Sequence, residues 1–398
     1  MNTDANDVVI TAGVRTPFGK LGGALSSLSA VDLGAAVICE ALERSKVPGE
    51  QVGHVIMGTV VPAGLGQIPA RQATFKAGLP AEVPALSINK VCGSALKAVN
   101  LGALLINAGE AEIVVAGGME SMSNAPYLLE KARSGYRMGD GILVDAMIRD
   151  GLWSPSDDVH MGVYGTVGAR EFDISRREQD EWALRSQQRY AAALAAGKFA
   201  EEIMPIEVPR GRGKVETVER DEAPRPNTTL EGLAALKPAF EEDGTITAGN
   251  APGVNDGAAA LVLMRRDTAA RLGAPVLATW ISSGEAAIEP RRISAVPAYA
   301  IQRALERARL QLKDMELVEV NEAFAAVTLV VNKILGLDPE KVNVDGGAVA
   351  VGHPIGASGA RILMHLIYEM RRRGSRYGVA GICSGTAQGD ATIVRIDS

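Results

Sequence analysis

The sequence predicts a layered α/β fold made of two related halves, with a long insertion in the first. Short β-rich runs alternate with amphipathic helical stretches at both ends of the chain. Ala41-Leu-Glu-Arg44 recurs 263 positions later as Ala304-Leu-Glu-Arg307, and Val115-Ala-Gly117 recurs 264 later as Val379-Ala-Gly381. Between 119 and 250 the rhythm breaks, which marks the insertion.

Taken in order, residues 8–11 read as a strand, 30–44 as a helix, 52–57 as a strand, and 83–88 as a strand leading into a helix that begins near Gly93. After 275 the pattern returns: a strand over 276–282, a helix over 297–309, a strand over 317–320 and a helix over 322–335. The middle holds a glycine- and methionine-bearing stretch at 118–141 and a polar helix over 175–196. A charged segment at 209–226, with Arg210, Arg212, Lys214, Arg220 and Arg225, reads as a solvated loop. The expected organisation is an N-terminal core over 1–118 completed by 251–272, an inserted loop domain over 119–250, and a C-terminal core over 273–398.

Composition narrows the function. With 41 basic and 47 acidic residues, net charge −6, the chain has no general attraction for nucleic acid or an anionic membrane, so an anionic ligand needs a local basic site. Three cysteines, Cys39, Cys92 and Cys383, form neither a disulfide framework nor a zinc motif, and a reducing, cytoplasmic setting is expected. Residues 1–7 carry no apolar run, and no segment reaches about 18 consecutive apolar residues, so neither a signal peptide nor a membrane span is expected.

Cys92 lies in Asn89-Lys-Val-Cys-Gly-Ser-Ala-Leu-Lys97, just before a helix. An inert core cysteine and a nucleophile both fit the residue alone. The helix N-terminus favours the thiolate, and the following Gly93 and Ser94 permit close approach of a substrate. His353, in Gly352-His-Pro-Ile-Gly-Ala-Ser-Gly359, reads as a base at a fixed turn, with Pro354 at the first helical position. His54, His160 and His365 lack such a context. Under the repeat, Cys92 falls 261 positions from His353, and two reactive groups at equivalent strand-to-helix turns suggest one shared site. Cys383 ends a strand and precedes a small-residue turn containing Gly385, while Asn321 reads as the N-cap of the helix that follows it.

Together these segments resemble the thiolase family, most of all its short-chain biosynthetic branch. The resemblance rests on Cys92 in its motif, Asn321-Glu-Ala-Phe324, the Gly352–Gly359 segment, Cys383 with Gly385, and Gly249-Asn-Ala-Pro-Gly253, and it runs over nearly the whole chain. It implies a duplicated α-β-α-β-α fold and a condensation of two acetyl-CoA into acetoacetyl-CoA and CoA. Cys92 would be the acylated nucleophile, His353 its base, and Cys383 the acid/base for the second substrate. Asn321 would hold a water, and Gly385 would donate its N–H to the acetyl-enzyme oxygen. His160, Met161, Ala251, Pro252 and Phe324 would meet the pantetheine arm and Arg225 the adenine. No cofactor or metal beyond the CoA thioesters is implied, and a homotetramer, a dimer of dimers, is expected by analogy.

The chain departs from the family pattern at Pro252 in place of a serine, at Ile293-Ser294 in place of a methionine–glycine pair, and at Ser384-Gly-Thr-Ala387 in place of a glycine run. These leave open a broad-chain 3-ketoacyl-CoA thiolase and a non-catalytic acyl-CoA or lipid-binding relative. A decarboxylating ketosynthase would not need Cys383.

Overall fold

The computed structural model describes residues 4–211 and 213–397, so Arg212 of the charged segment lies outside the described residues. The first half contains β1 (Val8–Arg15), α1 (Ala30–Ser45), β2 (His54–Gly58), β3 (Ala85–Ile88), α2 (Ser94–Ala108) and β4 (Ile113–Ser121). A long excursion with α3 (Met161–Glu171) and α4 (Arg176–Ala195) follows, and β5 (Asn255–Arg265) returns to pair with both β1 and β4. The second half contains β6 (Ala278–Ala287), α5 (Val296–Ala308), β7 (Leu317–Val320), α6 (Ala325–Leu335), α7 (Ser358–Arg373), β8 (Tyr377–Ser384) and β9 (Gln388–Arg395).

These strands form one sheet in the order β7-β8-β9-β6-β1-β5-β4-β2-β3. Read outward from the β1–β6 seam, each half repeats the other. β5 corresponds to β9, β4 to β8 and β2 to β7, with antiparallel pairs near the seam and parallel pairs beyond. At the outer edge the parallel partner is β3 in the first half and Val342, bridged to Val318, in the second. Both repeated tetrapeptides fall in the last turns of α1 and α5, and both tripeptides fall within β4 and β8.

Strand alternation sorts side chains into layers. Val114 and Ala116 of β4 and Ala380 and Ile382 of β8 face a middle layer formed by α2 and α7. Val115 faces outward with α1, and Val379 outward with α5 and α6. The order is therefore α-β-α-β-α. The window Val91–Ala108, long and apolar enough by composition to cross a membrane, is packed in that middle layer. There α2 and α7 cross closely because Gly359 has no side chain; a Cβ on it would lie 2.4 Å from the Leu96 backbone nitrogen.

Three expectations need correction. Ile206–Pro209 and Val215–Val218 pair as a hairpin that runs into the charged segment, and the Asp221 that follows is buried and accepts a two-pronged hydrogen bond from Arg15 at 2.6 and 2.9 Å, so the segment is more than a solvated loop. The helix expected from 322 starts at Ala325, with Phe324 and not Asn321 at the cap position. Glu322 is held out of it as a buried acceptor for Trp182 Nε1, Ser186 Oγ, Asn343 Nδ2 and the Val349 N–H, all at 2.8–3.0 Å. Finally, α7 begins at Ser358, four residues after Pro354, because the Pro354 carbonyl closes a separate turn with the N–H groups of Ala357 and Ser358.

Candidate active site

The Cys92 turn joins β3 to α2. Val91 is held at φ +44°, a left-handed conformation costly for a β-branched residue. Its N–H donates to Asn89 Oδ1 at 2.9 Å, its carbonyl accepts from Ser94 Oγ at 2.7 Å, and the Lys90 N–H donates to the same Ser94 Oγ at 2.8 Å. The turn delivers Cys92, partly exposed, to a cavity.

His353 sits in the equivalent region of the second half. Since α2 starts at Ser94 and α7 at Ser358, the strict counterpart of Cys92 is Gly356; His353 lies three residues upstream, across the extra turn. Gly352 before it has φ +108°, and a Cβ there would lie 2.7 Å from Asn255 Cγ. The His353 N–H donates to Asn255 Oδ1 at 2.8 Å, and Asn255 Nδ2 donates to the Gly19 carbonyl at 2.8 Å. Ser358 Oγ donates to the Pro354 carbonyl at 2.9 Å, so at its 2.6 Å contact with His353 Nδ1 the hydroxyl accepts. That assigns the proton to Nδ1 and makes Nε2 an acceptor, to which Asn321 Nδ2 donates at 3.4 Å.

Cys383 is buried near the end of β8. In the turn after it, Thr386 and Ala387 both hold left-handed φ, +59° and +54°. The chain thus keeps the backbone shape that glycines adopt freely, while carrying side chains.

Cys92, His353, Cys383 and Gly385 line one cavity of ≈ 240 Å³, together with His160, Met161, Ala251, Pro252 and Phe324. Asn321 adjoins His353 at Nε2, fully buried, with its Oδ1 unpartnered. Arg225 is not among the lining residues; its guanidinium donates to the Ala248 carbonyl at 2.9 Å, three residues before Ala251. Ile293 lies in the wall, as do two residues that sequence reasoning missed, Phe240 and Ile148. Phe240 stacks on His160 with centroids 4.2 Å apart and meets the edge of Phe324 at 6.4 Å. A lone aromatic in a loop carries no periodic signal, so only the fold reveals its place.

Burial sets the electrostatics. It lowers His353 to about 3, helped by the Arg361 charge, and lowers His160 to about 4, so both imidazoles are neutral at neutral pH. Burial also raises Cys383 to about 12, and it raises Cys92 as well, with Cys383 a second contributor. The expected thiolate at the helix start is therefore corrected: desolvation outweighs the helix end, and the resting pair is a neutral thiol and a neutral imidazole.

Residues 8–267 match the thiolase N-terminal domain, and residues 274–396 match the thiolase C-terminal domain. The chain belongs to the thiolase family. Its relatives include proteins named acetyl-CoA acetyltransferase from Cupriavidus necator, 52% identical over 98% of this chain and 99% of the relative, and from Pseudomonas aeruginosa, 50% identical over 98% and 100%. One of the same name from Escherichia coli is 51% identical over 97% of this chain and 98% of its own. In this thiolase the first match ends within the short helix Arg266–Leu272 and the second begins two residues after it, between β5 and β6, where one half of the sheet passes to the other.

Proposed function

We propose that this thiolase is an acyltransferase that condenses two acetyl-CoA into acetoacetyl-CoA and CoA, and catalyses the reverse thiolysis, through an acetyl-Cys92 intermediate. The observation that carries the reading is that Cys92, Cys383 and His353 line one cavity. His353 Nε2 takes and keeps the Cys92 proton as Sγ attacks the thioester carbon, while the Cys383 thiol protonates the departing CoA sulfur and is left as the thiolate. A second acetyl-CoA then loses an α-proton to Cys383. The high proton affinity that burial gives this sulfur makes its thiolate a strong base. The carbanion forms the new C–C bond at the acetyl carbon, the Cys92 sulfur leaves and recovers its proton from His353 Nε2, and the α-proton restores the Cys383 thiol, so both thiols and the neutral imidazole are regenerated.

Gly385 and the backbone at Cys92 supply donors for the oxygen of the acetyl-enzyme, and His353 with a water on Asn321 serves the second thioester oxygen. His160, Met161, Ala251, Pro252, Phe324 and Phe240 flank the pantetheine, and Arg225 braces the 248–251 backbone. The CoA thioesters are substrates, and the reading requires no further cofactor. Exposure of Met138, Ile142 and Leu143 on the insertion, 99%, 78% and 61%, supports self-association as a homotetramer.

The test is CoA-dependent cleavage of acetoacetyl-CoA by the native enzyme and by Cys92→Ala, with a six-carbon 3-ketoacyl-CoA as second substrate. Cleavage of the four-carbon substrate that vanishes in the variant supports the reading. Comparable efficiency on six carbons moves the enzyme to the broad-chain branch. No cleavage by the native protein overturns the catalytic assignment.

A further inference from the structure

The Cys92 and Cys383 turns come from different halves of the chain, yet they touch. Gly385 lies against Val91, where a Cβ would approach Val91 Cγ2 to 3.0 Å, and a Cβ on Gly93 would lie 3.4 Å from Ser384 Cβ. Two polar links span this contact. Ser384, fully buried, donates through Oγ to the Lys90 carbonyl and accepts from the Gly93 N–H at 3.4 Å, so one hydroxyl grips the Cys92 turn on both sides of the cysteine. Lys90 Nζ pairs with the buried Asp390 carboxylate at 2.6 Å. Asp390 stands on β9 opposite Ile382, next to Cys383. Lys90 also pairs with Glu285 on β6, which pairs with Lys97 of α2 at 2.7 Å. The backbone and the side chain of Lys90, two residues before Cys92, are thus each tied to the Cys383 hairpin.

Both turns carry strain that would tend to move them. Val91 on one side and Thr386 and Ala387 on the other hold left-handed φ without being glycine. We propose that Ser384, Lys90 and Asp390 form a clamp that fixes the spacing of the two cysteine turns, and that they are positioning residues for the step in which the carbanion generated at Cys383 reaches the acyl carbon on Cys92. The proposal rests on the reading of Cys92 and Cys383 as the reacting pair. None of the three touches substrate; each acts through backbone that carries a reacting group. A displacement of the order of 1 Å between reacting atoms slows chemistry without weakening the binding of a CoA arm held elsewhere.

The test compares acetoacetyl-CoA thiolysis by the native enzyme, Ser384→Ala, Ser384→Thr and Asp390→Asn, with thermal unfolding of each. Ser384→Ala is expected to lower kcat about 10- to 100-fold while KM for acetoacetyl-CoA stays within about twofold. Ser384→Thr, which keeps the hydroxyl, is expected to recover most of the loss. A Ser384→Ala enzyme with native kcat overturns the clamp, as does a threonine variant that folds and is as slow as the alanine one. Should both Ser384 variants fail to fold, Asp390→Asn carries the test, because Lys90 keeps Glu285 as a partner. Lowered kcat at unchanged KM supports the clamp, and native kcat overturns it. A native enzyme without thiolysis overturns the functional reading and the clamp together, whereas an active native enzyme with unaffected variants overturns the clamp alone.

Discussion

At Cys92 two effects oppose each other. The start of α2 favours a thiolate, while the surrounding protein disfavours any charge, and the second effect is larger. The residue is therefore a latent nucleophile that loses its proton to His353 as it attacks. Because its thiol is raised, the fraction ionised at neutral pH is small and grows with pH. Inactivation of the unliganded enzyme by iodoacetamide should accelerate about tenfold per pH unit between pH 6 and 9. A plateau below pH 8 would show that the thiolate is already formed and would refute the neutral pair. His353 was legible in the sequence because Gly352 and Pro354 fix its backbone, and Cys383 because it ends an apolar run. The proton affinities were not legible, since they depend on the enclosing mass of protein and not on neighbours in the chain. The Arg15–Asp221 pair was hidden for a similar reason: Asp221 lies among many charged residues, and nothing local marks it as the one that turns inward.

The secondary elements were the most legible part of the fold, because strand alternation, helical period and capping boxes such as Ser29 with Asp32 are local signals. Apart from the Ile206–Val218 hairpin, two exceptions lie beside the site. Asn321 and Glu322 look like a helix start, yet Glu322 is engaged by four buried donors and the helix waits until Ala325. The turn between His353 and α7 likewise delays a helix that Pro354 seemed to open. That turn depends on Gly118 of β4, because a Cβ on Gly118 would lie 1.9 Å from the Gly356 carbonyl oxygen, backbone against backbone. Gly118→Ala should therefore push the His353 turn outward or prevent folding, at a cost of about 1–3 kcal/mol or more. Folded protein with thiolysis within about twofold of native would show that the contact is not needed.

Across the whole molecule, a buried ionic network ties the insertion to the core. Arg15 of β1 binds Glu202 at 2.8 Å as well as Asp221, Glu202 binds His365 Nδ1 at 2.9 Å, and His365 Nε2 lies 3.4 Å from Asp345. Lys198 of the insertion joins Asp345 and Glu369 at 2.7 and 2.9 Å. Burial alone would lower His365, yet Glu202 and Asp345 more than reverse it and raise the imidazole to about 10; burial alone would raise Glu202, yet Arg15 and His365 hold it down to about 2. The His365 contribution to stability is therefore fully present below its unfolded value of about 6.5 and is lost as pH rises through 10. The Glu202 contribution is present above its unfolded value of about 4.3 and is lost as pH falls through 2. Unfolding temperature should fall between pH 7 and 10 in the native enzyme and fall less in His365→Gln. Parallel curves for the two proteins would remove His365 from the account. None of this network was legible in the sequence, because its members are brought together only by the packing of the insertion on α7.

The near-symmetry about the β1–β6 seam bears on how such an enzyme can arise. A perfectly symmetric molecule would present the same residue at both helix-opening turns, two cysteines or two histidines, and acyl transfer requires one group that attacks and another that accepts its proton. The duplicated unit therefore becomes this enzyme only by ceasing to be a duplicate. The three-residue offset that carries His353 away from the strict counterpart of Cys92, and the methionine, Met119, that stands on β4 where β8 has Cys383, are the places where the copies have parted. Ancestry here supplied the scaffold twice, and divergence between the copies supplied the chemistry once.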